Sequence, residues 1–208
     1  MAGRIEDSAI VGDMQSVAMI CTDGSVDWLC LPRFDSEACF AALLGTQDHG
    51  QWRVAPAGIT SESGARRRYA EDTLILQTEW ATPDGDARVT DFMPPRDDDD
   101  TPVLTRTVEG VSGTVEMEVT LRVRLGYGAV TPWLRKTKSG IRATAGPDAI
   151  WLDTPVSLTG QDMAHTATFS VSAGGQVPFV LTYMPSHKGE PPSPDPFHAL
   201  AKTKEILG

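Results

Sequence analysis

The chain has 208 residues, 40% hydrophobic and 22% charged, enough to bury a sizeable core in one large β domain or two small ones. Its net charge of −10 argues against a nucleic-acid partner and against electrostatic docking on an anionic membrane. No apolar run is long enough to span a bilayer, no hydrophobic signal core follows Met1, and an odd count of three cysteines does not suggest a disulfide framework, so a reducing, cytoplasmic setting is expected.

The predicted elements are almost all strands. Residues around Ala9-Ile10-Val11 read as a loop leading to a first strand at 17–20. Asp23-Gly24 supplies the positive-φ geometry of a two-residue hairpin turn into a short apolar strand, 26–31, which contains Trp28. The next stretch, Pro32-Arg33-Phe34-Asp35-Ser36, is too decorated for a plain turn, because arginine beside phenylalanine is typical of an interface or a ligand rim. Residues 37–44 read as a short helix, with Ser36 as N-cap and Gly45 as its stop. A short strand is expected at 50–55. Arg66-Arg67-Arg68-Tyr69 then precedes a strand at 73–81, which turns through Pro83-Asp84-Gly85-Asp86 and returns at 87–93.

A strand at 103–109 is expected to turn at Gly110-Val111-Ser112-Gly113. From Val115 to Leu125, apolar residues occupy every second position, and Glu116, Glu118, Thr120, Arg122 and Arg124 fill the alternate ones. That period means a half-buried antiparallel strand. Further strands follow at 133–136, 141–145, 149–153, 166–171 and 177–183. The whole predicts an all-β fold, a large antiparallel β-sandwich over residues 1–189. Residues 190–208 differ. Glu190 to Pro196 is a proline-rich linker, and Asp195 with Pro196 forms an N-cap and N1 pair opening a linker helix at 197–207.

Chemistry-bearing constellations are sparse. Asp23, Asp27 and Asp35 cluster, but turn and cap roles explain them, and no acid–base pair can be singled out as catalytic. Asp97-Asp98-Asp99-Asp100 lacks the alternating spacing and glycine of a calcium loop and reads as solvated. Cys21, Cys30 and Cys39 lack a zinc knuckle and read as core, so no metal is expected. No phosphate-binding loop, dinucleotide motif or nucleophile elbow is present, so no cofactor is expected. Among the tryptophans, Trp80 and Trp151 sit inside strands and read as core. Trp133, after Pro132, is the candidate exposed platform for stacking a sugar.

Several of these segments resemble one family. They are Ile5-Glu6-Asp7, Val11-Gly12-Asp13, the run from Asp23 to Ser36, the run from Ala38 to Gly45, Arg68-Tyr69, Asp72-Thr73-Leu74, Val89-Thr90-Asp91-Phe92-Met93-Pro94 and Pro185-Ser186-His187. Together they resemble the N-terminal domain of bacterial trehalase-like proteins in glycoside hydrolase family 15, and the likeness covers essentially the whole chain. The resemblance implies a super-β-sandwich joined through a helical linker to a catalytic (α/α)6 barrel, in cis or in trans. It implies an inverting parent enzyme of carbohydrate metabolism, acting on α-glucosidic bonds, trehalose first, with both catalytic glutamates in the barrel. That barrel is absent from this chain, so the isolated chain is expected to be inactive. The resemblance also implies that Trp28, Pro32, Arg33, Phe34 and Asp35 form a patch facing the barrel and its sugar pocket. A rigid corner closed by an internal Arg33–Asp35 pair is the plain alternative for that patch. A free-standing carbohydrate-binding or protein-interaction module is the alternative for the whole chain.

Overall fold

The structure, a computed structural model, describes residues 4–96, 101–192 and 194–207. The four aspartates at 97–100 lie outside the described residues. The strands are β1 (Ser8–Gly12), β2 (Val17–Cys21), β3 (Ser25–Cys30), β4 (Ala38–Phe40), β5 (Gln51–Pro56), β6 (Arg66–Tyr69), β7 (Leu76–Thr82), β8 (Gly85–Phe92), β9 (Val103–Arg122), β10 (Trp133–Lys136), β11 (Gly140–Ala145), β12 (Asp148–Asp153), β13 (Thr159–Gln161), β14 (Ala164–Ser172) and β15 (Gln176–Pro185). One α-helix, α1 (Pro196–Leu207), closes the described chain. The fold is all-β, and these strands pair antiparallel.

The sandwich is organised on β9, whose 20 residues serve both sheets. Its first half pairs with β8 and β15, and its second half with β5 and β14. The first sheet therefore runs β1-β2-β3-β5-β9-β14-β13, with β4 added on β3, and the second runs β6-β7-β8-β9-β15-β12-β11-β10. The crossing point is Gly110-Val111-Ser112-Gly113. The expected turn there is not a turn: the chain continues as a bulged corner between sheets, with the register shift at Asp86/Ala87 of the paired strand. Gly113 sits at φ +60, and a β-carbon on it would run into the Asp84 carbonyl oxygen. Gly113→Ala is expected to cost about 2 kcal/mol and to lower Tm by about 6 °C in a thermal melt.

Other expectations need correction. The loop at Ala9-Ile10-Val11 is strand β1, paired with β2. The β2–β3 connection uses three residues, Thr22 to Gly24, with Gly24 at φ +80. The helix expected at 37–44 is instead β4 followed by a 3-10 turn, Ala42–Leu44. All three residues of β4 are buried: Cys39 and Phe40 join the main core, while Ala38 packs in a second small cluster. A helix buries one stripe, so burial on both faces favours the strand. Arg66–Tyr69 is itself an edge strand, and β13 carries no apolar pattern that would have announced it. The hairpin β7–β8, the alternation along the second half of β9 and the C-terminal helix are as expected. Asp195 Oδ1 caps that helix, accepting from the backbone N–H of Phe197 and His198, each at 2.9 Å.

The main core lies between the sheets, and Trp52, Trp80, Phe40, Phe92 and Phe179 are fully buried. Trp80 and Trp151 are buried, as expected. Within this core sits a fully buried ion pair, Arg106 Nε to Asp91 Oδ1 at 2.7 Å. Arg106 also donates to the carbonyls of Trp52 (2.9 Å) and Gly24 (2.8 Å) and lies over the Trp52 ring at 5.0 Å. It thus rivets the second sheet to the first. At the β1 edge, Tyr69 Oη donates to the Ile10 carbonyl at 2.9 Å and accepts from its N–H at 3.0 Å. Arg67 beside it donates to the carbonyls of Asp7 and Ile20, and its burial lowers the guanidinium pKa.

Candidate functional site

The decorated loop after β3 is exposed at its tip and fixed at its base. Pro32 follows a cis peptide bond. Ser36 N–H donates to the Arg33 carbonyl at 3.0 Å, and Arg33 N–H donates to Ser36 Oγ at 3.2 Å, closing a tight turn. Phe34 N–H donates to the Gln15 carbonyl at 2.9 Å.

The base is built by Asp13, a carboxylate with no solvent exposure. Its Oδ1 accepts from Gln15 N–H (3.0 Å) and Ser16 N–H (2.7 Å), and its Oδ2 takes Arg96 Nε at 2.5 Å. Arg96 also donates to the Pro32 carbonyl, and Ser16 Oγ donates to that of Cys30. Residues 13–16, 30–36 and 96 are therefore knitted into one mount. Asp13 lies in a motif that the resemblance rests on, whereas nothing in the linear pattern signalled Arg96, which is more than 80 residues from its partner.

Two shallow hollows flank Pro32. One, of about 280 Å³, is lined by Arg33, Arg96, Met184 and Lys188; the other, of about 350 Å³, by Glu37, Leu125 and Asp148. Tyr183 borders both and donates its hydroxyl to Asp148 Oδ1 at 2.7 Å. Burial, and then the Asp148 carboxylate, push its phenol pKa up. Segments around 13, 32 and 185, far apart in the chain, meet at this end of the sandwich.

On this mount stand Arg33, Phe34 and Asp35. Phe34 is 66% exposed. Arg33 Nε and Asp35 Oδ1 pair at 3.2 Å with both side chains more than half exposed, so the pair adds about 0–1 kcal/mol and does not lock the corner. Trp28 takes its contacts elsewhere: it packs with Cys30, Ala38 and Ala41 in a cluster separate from the main core, and its ring lies 6.1 Å from that of Tyr127. Trp133 begins edge strand β10 at 84% exposure, distant in topology from β3.

The buried carboxylates are committed: Asp13 to Arg96, Asp91 to Arg106, and Asp27 to Gln51 Nε2 at 2.7 Å. Among the described residues no three His, Cys, Asp or Glu side chains gather as a metal site, and no helix is long and apolar enough to cross a membrane. The three cysteines are free and buried, and burial is the main cause raising each thiol pKa. A thiol-specific disulfide reagent at pH 8 is expected to label none of them in the native chain and all three after denaturation. Rapid native labelling would contradict that packing.

What the arrangement can do chemically is present a cation, an aromatic ring and an anion, side by side, on a rigid support. Comparison with known proteins says where such a domain belongs. The chain is 33% identical over 167 residues to a trehalase of Mycobacterium tuberculosis, covering 70% of this chain and 24% of that protein. It is 34% identical over 144 residues to a trehalase of Mycolicibacterium smegmatis, covering 61% and 21%. It is 26% identical over 159 residues to a trehalase of Thermoplasma volcanium, covering 74% and 25%. The chain thus spans about a quarter of the length of the curated relatives it matches. The family model described as "Trehalase-like, N-terminal" matches residues 1–191, and the chain belongs to that family.

Proposed function

We propose that this sandwich is the non-catalytic N-terminal domain of a trehalase-like glycoside hydrolase, with residues 1–189 as the domain and 190–208 as the path toward a catalytic (α/α)6 barrel. In this reading the Pro32–Asp35 loop packs on the barrel and helps wall its sugar pocket. The parent hydrolyses an α-glucosidic bond, trehalose first, by inversion, with an acid and a base glutamate of the barrel flanking one water. We place it in the reducing cytoplasm, in keeping with three free, buried thiols.

The observation that carries the reading is the loop itself: Arg33, Phe34 and Asp35 are exposed while Asp13 and Arg96 hold their backbone from beneath. An exposed aromatic beside an arginine, held rigid, is the composition of an interface centre. Helix α1 supports it. Among its described residues only Thr203 is buried, and Phe197 and Ile206 are 42% and 52% exposed, an apolar surface available to a partner. The buried carboxylates are taken up by arginine and glutamine inside the fold and have essentially no exposure with which to meet a substrate.

The test is glucose release from trehalose and maltose by the pure chain, by a barrel polypeptide, and by the two joined. No turnover by the chain and restored turnover on joining are expected. Release of glucose by the pure chain would overturn the non-catalytic assignment, and a barrel equally active without the sandwich would overturn its part in the pocket.

A further inference from the structure

Edge strand β10 and the β13–β14 hairpin line an open cleft of about 540 Å³, within the ~300–1,000 Å³ range of small-molecule sites. Pro132 is buried and anchors the start of β10. Strand alternation then sends Leu134 toward the core and leaves the Trp133 indole 84% exposed on the cleft wall.

The opposite wall is the hairpin tip. Asp162 and Met163 both adopt positive φ, +49 and +62, as a two-residue type I′ turn requires and as their β-carbons oppose. The tip is held in place: Arg122 donates to the Asp162 carbonyl and Arg124 to that of Met163, each at 3.3 Å. Arg124 is only 6% exposed, and burial lowers its pKa. Gln161, Asp162 and His165 line the same cleft. Burial, and then the positive charge of Lys136, hold the imidazole pKa of His165 below its usual value. At neutral pH one ring nitrogen therefore donates and the other accepts.

We propose that this cleft is a carbohydrate-binding subsite, with Trp133 as the stacking platform and Gln161, Asp162 and His165 as partners for sugar hydroxyls. A hexopyranose presents a C–H face bordered by hydroxyls that both donate and accept. The indole face suits the first, and an amide, a carboxylate and a neutral imidazole suit the second. The subsite uses none of the residues of the Pro32–Asp35 loop, so it does not depend on the role proposed for that loop.

The test is a titration of the 15N-labelled chain with trehalose and, separately, maltotriose, followed by NMR. The Trp133 indole N–H and the Gln161 side-chain amide are expected to shift and saturate, while the indoles of buried Trp52, Trp80 and Trp151 stay in place. Trp133→Ala should abolish saturation, and Trp133→Phe should weaken it about tenfold. Trp133 is exposed enough for both variants to keep the native spectrum, which the same experiment checks. No saturable shift, an unchanged shift in Trp133→Ala, or an equal response to sorbitol would overturn the subsite. So would an indole that becomes buried and sugar-insensitive once a barrel is joined, since Trp133 would then be a protein contact. None of these outcomes bears on the glucose-release test.

Discussion

Replacing Arg106 with alanine is expected to destabilise the domain by about 3–5 kcal/mol, the largest effect of any single substitution considered. The guanidinium has no solvent exposure and four jobs: it neutralises Asp91, donates to the Trp52 and Gly24 carbonyls, and lies over the Trp52 ring. Its removal strands a buried carboxylate whose other oxygen, Oδ2, already has no hydrogen-bond partner among the described residues. The Trp52 and Gly24 carbonyls each lose a charged donor as well, although the Gly24 carbonyl keeps the Val54 N–H at 3.1 Å. Domains of this size have only about 5–15 kcal/mol in total, so the variant should be largely unfolded in mild urea. The double variant Arg106→Met with Asp91→Leu separates the terms. It removes the stranded charge and should recover part of the loss, leaving the Trp52 and Gly24 carbonyls without the guanidinium donor. A loss below about 1 kcal/mol for Arg106→Ala would show that the two sheets do not depend on this rivet.

The second large effect is expected at Arg96. Arg96→Ala leaves Asp13 buried with two backbone N–H donors but without its counter-charge, and frees the Pro32 carbonyl, costing about 3 kcal/mol. Hydrogen exchange at Phe34 N–H, bonded to Gln15, should rise with it. Phe34→Asp provides the contrast. Phe34 is 66% exposed, so its substitution should change the urea midpoint little, by about 0.5 kcal/mol or less, while weakening union with a barrel. This pair of variants distinguishes a presentation loop from a rigid corner: in a corner with no partner, Phe34→Asp would be silent in both assays.

The overall architecture was legible because period-two patterning survives wherever one strand face is buried, as along Val115 to Leu121. It failed where two structures share a signal. Gly110-Val111-Ser112-Gly113 has the composition of a turn, but a sheet-to-sheet corner needs the same positive φ and close backbone approach, and only the pairing partners decide between them. Ala38-Cys39-Phe40 has helix-compatible propensity that burial on both faces overrides. The tip of the candidate loop was visible because Arg33 and Phe34 are odd residues for a turn. Its mount was not, because Asp13 and Arg96 are brought together by tertiary folding alone. Arg106, between two threonines in a strand, looks like any solvated edge position until the opposing Trp52 and Gly24 carbonyls are in place.

The most direct measurement is hydroxyl-radical footprinting of Phe34, in the chain alone and in the chain joined to a catalytic barrel, with exposed Met163, at the β13–β14 tip away from the mount, as internal standard. Phe34 is expected to react readily in the isolated sandwich and to be protected when the barrel is present and active, while Met163 reports any general loss of reactivity. An active assembly in which Phe34 reacts as fast as in the isolated chain would contradict the assignment of Pro32–Asp35 as the surface offered to the barrel.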